Sequence, residues 1–423
     1  MYKSVRGTKD ILPPEVFWWQ DIEAKARDIL TIYGYQEIRT PLIEDIGLFR
    51  RSLGTFSDVV NKQMFLVKRL SGLVSEEDKE KMVLRPEGTA SVVRAYLQNR
   101  IDKTLDFVKF FYIGAMFRAE RPQKGRLRQF HHLGVEAIGS YSVYLDIELI
   151  MLVQHLLEEF GVEDFTINLN SIGCNNDKNK LALFIKNTLK TKIIAFCKDC
   201  QRRYETNILR ILDCKNRNCQ EILKGIKIKE DYLCNECLVH FNELREGLDS
   251  LQIKYKLSPF LVRGLDYYTR TVFEITQKDL GSQDAIGAGG RYDDLVKELG
   301  GQPQGAVGFA LGLERVLLAK KQKELPSQRV LIFLILLGER AKREGLKILK
   351  ILRQNKICAD MDYQEKSLKA ALRRADSLKA RFVVILGEQE LDKKILQLKD
   401  MQKGLQREIS IEELLRNPKS YLC

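Results

Sequence analysis

The sequence predicts an α+β body, an antiparallel sheet flanked by helices, with a helical insertion and a C-terminal α/β domain whose sheet is mostly parallel. Three observations predict it. Through residue 173, and again from 258 to 321, β-prone stretches mix with helices and glycine turns. Residues 174–250 change character, becoming Lys-rich, Cys-rich and mostly helical, as an inserted segment does. Beyond 329, short apolar runs are separated by helix-patterned segments, the rhythm of strand–helix–strand units.

The first element is EVFWWQDIEAKARDILTIYG at 15–34, an amphipathic helix closed by Gly34. YQEIRTPLIE follows and is strand-like up to Pro41. LRPEGTASVVRAYL at 84–97 breaks a strand at Pro86, presents Glu87 at the mouth of a turn, and starts a helix near Thr89, whose hydroxyl suits an N-cap. Glu87 is placed there to accept an ammonium group. FVKFFYIGAMFR at 107–118 and RQFHHLGVEAIG at 128–139 are both β-prone, and the basic loop between them holds Pro122 and Gly125. The pair reads as an antiparallel hairpin.

Along its second strand, period-two alternation puts Arg128, His132, Gly134 and Glu136 on one face and Leu133, Val135 and Ala137 on the other. His131 points away from His132. Gly134 leaves a notch between His132 and Glu136 in which a small ligand would fit. A buried carboxylate is costly unless it meets a donor or a cation, so Glu136 suits a ligand with N–H groups. An exposed hairpin with ordinary surface charges is the alternative.

An apolar helix follows at 145–160. After the insertion, LVRGLDYYTRTVFEI at 261–275 leads from Arg263 and Gly264 through Tyr267 and Tyr268 into a strand. GAGGRYDDL at 287–295 permits close backbone approach. GAVGFALGLERVLLA at 305–319 joins a glycine-dotted strand to an apolar helix carrying Arg315, a position where an arginine commonly snorkels from the edge. KQKELPSQ at 321–328 reads as a linker. In the tail, VLIFLILLG, ICADMDY and RFVVILGE are strands, with RAKREGLKILKILRQN and SLKAALRRADSLK as the helices between them.

Composition bounds the rest. With 423 residues, 44% of them hydrophobic, the chain buries a large core in two or three domains. No secretory signal is visible, and VLIFLILLG is far shorter than the roughly 20 residues of a membrane helix, so a soluble, cytoplasmic protein without a membrane partner is expected. A net charge of +13 suits a polyanionic partner, or merely a Lys-rich solvated surface. Nine cysteines include Cys197-x-x-Cys200 and Cys234-x-x-Cys237. In a reducing compartment such knuckles suit tetrahedral zinc, with Cys197, Cys200, Cys234 and Cys237 as ligands; redox chemistry and plain free cysteines are the other readings.

Taken together these stretches resemble one family. FRAERPQKGRLRQFHHLGVEAIG and GFALGLERVLL look like motifs 2 and 3 of class II aminoacyl-tRNA synthetases. LVRGLDYYTRTVFE is similar to the histidine-specific motif of histidyl-tRNA synthetases, and VRGTKDILP, IRTPLIE (motif 1, a usual dimer contact) and LRPEGTA fit the same family. The likeness runs over nearly the whole chain. It implies a class II synthetase catalytic domain over 1–322, interrupted at about 174–250, and an anticodon-binding α/β domain over 329–423. Basic residues at 393–407 would touch RNA backbone there, or simply be solvated.

The resemblance implies a homodimer that ligates L-histidine to tRNA(His) in two steps, using ATP with Mg2+. Glu87, Gly88 and Thr89 would hold the α-amino group of histidine. Arg118 would hold the ATP α-phosphate, Arg315 the tail of a bent ATP, and Arg263 the histidine carboxylate beside the α-phosphate. Arg118 and Arg263 would thus be catalytic. Glu136 and Tyr268 would read the two imidazole nitrogens, with Tyr267 lining the same pocket. The family commonly has Gln where this chain has His132; a neutral imidazole offers one donor and one acceptor in another geometry, and a protonated one would repel the substrate ammonium. Two rivals exist: a histidine-binding regulatory paralogue without aminoacylation activity, and a non-catalytic RNA-binding relative. The first would be expected to lose the tail and some arginines, which this chain keeps, and retention of Arg118, Arg263 and Arg315 together speaks against the second.

Overall fold

Two units divide the chain, Met1–Glu324 and Leu325–Cys423. The computed structural model describes residues 2–54, 57, 59–68, 82–321, 331–364 and 367–422; from residue 322 onward the expected linker lies outside them.

In the first unit, the helix Glu15–Ile32 buries Trp19, Ile22, Ala26, Ile29 and Leu30, one stripe at helical spacing. Gly34 ends it with φ of 79°, a left-handed turn that costs glycine little. The strands are β1 (Gln36–Glu37), β2 (Ile43–Asp45), β3 (Phe65–Leu66), β4 (Met82–Leu84), β5 (Val108–Phe117), β6 (Gln129–Ile138), β7 (Phe165–Ser171), β8 (Tyr255–Leu257), β9 (Thr269–Gln277), β10 (Ala285–Arg291) and β11 (Ala306–Gly312). Eight of them form one sheet in the order β1-β5-β6-β11-β10-β9-β7-β8, while β2, β4 and β3 form a small separate one. The six central strands pair antiparallel, and only the short edges β1 and β8 run parallel to their neighbours. YQEIRTPLIE therefore contributes two residues of strand before Pro41 and a second short strand after it.

The expected hairpin is β5–β6, and both faces of β6 are covered. Leu133, Val135 and Ala137 are fully buried on one side, while Glu136, only 1% exposed, is buried on the other. That double cover makes β6 a place where a carboxylate meets protein groups instead of water.

The apolar helix is Val143–Glu159, and it hides one charge, Asp146, at 0% exposure. A register shift between Gly290 and Arg291 near the end of β10 accompanies the answer to it. Arg291, also 0% exposed, donates to Asp146 at 3.0 Å, as does the Thr271 hydroxyl, and His240 Nε2 lies 3.1 Å away. One acid thus ties this helix to β9, β10 and the insertion's last helix. Residues 174–250 are helical, with α-helices Asn175–Leu189, Lys198–Thr206, Arg217–Lys224 and Asn235–Ser250.

The second unit has strands β12 (Leu331–Leu336), β13 (Cys358–Met361), β14 (Phe382–Leu386), β15 (Ile395–Asp400) and β16 (Gln406–Ser410) in the order β13-β12-β14-β15-β16. β12 runs parallel to both neighbours, and alternate β12 residues bury on opposite faces, Ile332 and Leu334 on one and Phe333 and Ile335 on the other. A strand covered twice reads as a continuous apolar run. The sheet continues beyond this parallel core with an antiparallel ribbon, β15–β16, whose mixed polar residues give no strand signal in the sequence.

Candidate active site

β4 leads into Pro86, and the helix Thr89–Gln98 begins directly after Gly88. Its first amides are met by Glu87, not by Thr89 as the local sequence suggested. The Thr89 N–H donates to one Glu87 oxygen at 2.7 Å and the Ala90 N–H to the other at 3.0 Å. A carboxylate also answers the positive end of the helix dipole, which a hydroxyl does not. The Thr89 hydroxyl is thereby released to donate to Glu136 at 2.7 Å.

Glu136 accepts further hydrogen bonds from the hydroxyls of Tyr292 and, at 3.4 Å, Tyr112. Burial pushes its pKa up to about 8, against the downward pull of the Tyr292 and Thr89 bonds, so at neutral pH the carboxyl largely keeps its proton. The notch foreseen at Gly134 is not open. Gly134 faces Tyr112 across the β5–β6 ladder, and a Cβ there would fall 2.0 Å from the Tyr112 Cζ, so the ring occupies that space. On β11, Gly308 performs the matching service for the acid: a Cβ would lie 2.1 Å from Glu136 Oε2.

One open cleft gathers Glu87, Thr89, Arg118, His132, Arg263, Tyr267, Tyr268 and Arg315 on its wall. Glu136 and Gly88 are not on that wall. Glu136 sits behind it, linked to the cleft by Thr89, Tyr112 and Tyr292, which all line it. The rings of Tyr267 and Tyr268 lie 4.7 Å apart, and that of Tyr267 is 5.6 Å from Tyr292.

Each arginine is oriented by backbone or by an acid. Arg118 donates from Nε to the Pro86 carbonyl at 3.0 Å, with its guanidinium 5.3 Å from the Phe130 ring centroid. Arg263 donates from Nη1 to Glu274 at 2.6 Å, while its buried Nε has no partner among the described residues. Arg315 does not snorkel away: it donates to the Gly125 carbonyl at 2.8 Å and the Ala285 carbonyl at 2.6 Å, bracing the β5–β6 loop. His132 is neutral, because burial, joined by Arg118 and Arg315, pushes its pKa down to about 3. Its buried Nδ1 is a second orphan at the cleft. His131 faces elsewhere, its backbone and ring both within 3.0 Å of Glu314. A polar ligand in the cleft would complete both atoms.

Sequence reading missed Tyr112, Tyr292 and Glu274. Tyr292 follows a glycine run, but its aim at Glu136 depends on the β10–β11–β6 pairing, and Tyr112 was one aromatic among several in its strand.

The expected four-thiol set is corrected. Cys197 and Cys200 lie with Cys214 and Cys219, whereas Cys234 and Cys237 lie with Cys174 and Asp177, each group having its potential ligand atoms within 4.8 Å. The first knuckle meets cysteines close to it in sequence, and the second meets the start of the helix Asn175–Leu189.

No helix among the described residues is long and apolar enough to cross a membrane. Residues 7–316 match the family model described as histidyl-tRNA synthetase, and residues 331–419 the one described as anticodon binding domain. Curated relatives named histidine--tRNA ligase include one from Halothermothrix orenii, 45% identical over 416 residues and covering 98% of each chain. Another, from Natranaerobius thermophilus, is 42% identical over 414 residues, 97% of each. The crystal structure of apo S. aureus histidyl-tRNA synthetase is similar with a TM-score of 0.79 and 33% identity, covering 100% of both chains. An α+β catalytic body with these motifs, a tail of the anticodon-binding kind and full-length relatives in this proportion lead to one conclusion: the chain belongs to the histidyl-tRNA synthetase family.

Proposed function

We propose that the protein ligates L-histidine to tRNA(His) in the cytoplasm, acting as a homodimer. The histidine carboxylate attacks the ATP α-phosphorus, the bond to the β-phosphate oxygen breaks, and pyrophosphate leaves. The 3′-terminal hydroxyl of tRNA then attacks the histidyl carbonyl and AMP leaves. The observation that carries this reading is the meeting of Arg118, Arg263 and Arg315 with Tyr268 on one cleft, with Glu136 one hydrogen bond behind its wall through Thr89.

Negative charge grows on the phosphoryl oxygens in the first transition state. Guanidinium groups already held by Pro86, Glu274, Gly125 and Ala285 meet that charge without reorganising, and alignment removes much of the entropic barrier. Arg118 takes the α-phosphate, Arg263 the histidine carboxylate beside it, and Arg315 the ATP tail. The orphaned Arg263 Nε supports that role. Glu87 and Thr89 receive the α-amino group over Gly88, with the neutral His132 beside them. Tyr268 takes one imidazole nitrogen at the wall, Glu136 reads the other through the Thr89, Tyr112 and Tyr292 hydroxyls that stand between it and the cleft, and Tyr267 packs against the ring. The cleft's carboxylates Glu87 and Glu314 already accept protein N–H groups, and Glu120 pairs with Arg126. Mg2+ enters with ATP, as part of the substrate.

Leu42 and Ile43, 44% and 46% exposed within IRTPLIE, support a dimer contact there. Residues 331–419 would bind the anticodon arm, with the exposed Lys393, Lys394, Lys403 and Arg407 near its backbone. ATP–pyrophosphate exchange tests the reading: it should depend on histidine. Exchange supported by a different amino acid, or none at all, would refute it, the latter leaving a regulatory paralogue. Glu136→Ala should weaken histidine binding far more than ATP binding; equal losses would mean the imidazole pocket lies elsewhere.

A further inference from the structure

We propose that Cys197, Cys200, Cys214 and Cys219 form a tetrathiolate site for one structural zinc ion, and that this ion holds the loop carrying Arg263 in place. All four are free thiols, and three of them are buried. Zinc–sulfur bonds of about 2.3 Å in a tetrahedron place neighbouring sulfurs about 3.8 Å apart. Cys197 Sγ and Cys214 Sγ are 3.8 Å apart, and all four sulfurs lie within 4.8 Å of one another. One pair of sulfurs thus already stands at the ZnS4 spacing, and the other two lie close enough to complete the set. The Cys197 N–H also donates to Cys219 Sγ at 3.3 Å, the kind of outer contact that orients a metal-bound thiolate. As the ion binds, the thiols release their protons to water.

The second cluster does not call for a metal in the same way. Its carboxylate, Asp177, accepts from the Cys234 N–H at 3.0 Å and the Cys174 N–H at 3.4 Å, so its place is explained by two helix starts. That group serves as the internal control.

What zinc would accomplish follows from the chain between its ligands. The segment closed by Cys200 and Cys214 carries Asn207, which donates to Asp266 at 2.8 Å, and Arg210, which donates to the Gly264 carbonyl at 2.7 Å. Asp266 and Gly264 belong to the same turn as Arg263. The ion therefore fixes a clasp that grips this turn from outside the cleft, making these cysteines positioning residues for Arg263.

The test uses the full chain purified without added metal or chelator. Elemental analysis should find one zinc per chain, and X-ray absorption at the zinc edge should find four sulfurs at about 2.3 Å. Cys214→Ser and Cys219→Ser should each lose the zinc, while Cys234→Ser keeps it. Chelation should lower kcat of histidine-dependent exchange about 10-fold to 100-fold, with rescue by added zinc. A metal-free protein, a mixed sulfur–oxygen shell, or zinc lost in Cys234→Ser but kept in Cys214→Ser overturns the site. Zinc removal that leaves exchange unchanged overturns the clasp. The absorption measurement needs no variant, so a misfolding substitution does not shield the proposal.

Discussion

Replacing Glu136 with glutamine keeps the shape of the side chain and removes its titration. In the folded protein the carboxyl pKa stands at about 8 against an ordinary 4.5, raised chiefly by burial. At about 1.4 kcal/mol for each tenfold change in the proton equilibrium, such a rise is worth on the order of 5 kcal/mol. The sign follows from which state gives up its proton first. Below the ordinary value both states are protonated and the fold keeps its full stability. As pH climbs, the unfolded chain ionises while the folded chain does not, so stability is lost until pH passes the folded value of about 8. Glu136→Gln lacks this loss. Urea unfolding of wild type and variant from about pH 5 to about pH 9 should therefore show the variant gaining several kcal/mol on wild type. Fluorescence suits the measurement, because both tryptophans, Trp18 and Trp19, lie in the first unit and report on it alone. A stability difference that stays flat across that range would refute the buried, protonated state described for Glu136.

Three further outcomes follow from the same geometry. Gly134→Ala drives a Cβ into the Tyr112 ring at 2.0 Å and should cost about 1–3 kcal/mol or more, with partial recovery in the Gly134→Ala/Tyr112→Ala double variant, read by urea unfolding. Asp146→Ala leaves the fully buried Arg291 without its principal acid and should cost about 3–5 kcal/mol, while Asp146→Asn, which can still accept hydrogen bonds, should cost less. Arg118→Ala should lower kcat of the exchange reaction by about 100-fold or more with secondary structure unchanged by circular dichroism, since the group meets developing charge.

Much of the site was legible from local pattern. The hairpin over 107–139 could be read because alternation of period two needs only neighbouring residues, and the same rule placed His132 and Glu136 on one face. Two apolar strands of the tail, β12 and β14, were visible for a related reason: a strand covered on both sides announces itself as an uninterrupted apolar run, whereas β13 buries only Ala359 and Met361 on one side. The cap of the helix Thr89–Gln98 was misjudged because Glu87 reaches its amides from two residues upstream, and only the fold shows that Glu136 claims the Thr89 hydroxyl. The thiols were misgrouped because identical knuckles carry no information about which partner lies near them in space.

Periodicity along short stretches of chain by itself determined the main strands and helices and the inserted helical segment, while the roles of the site residues came from the resemblance of their motifs to one family. Only the tertiary structure decided that Tyr112 fills the space beside Gly134, that Arg291 meets Asp146, and that Glu136 lies behind the cleft wall. Those pairings join residues from 22 to 145 positions apart. They rest on strand register and on the cost of burying an unanswered polar group, and neither is written in any single segment.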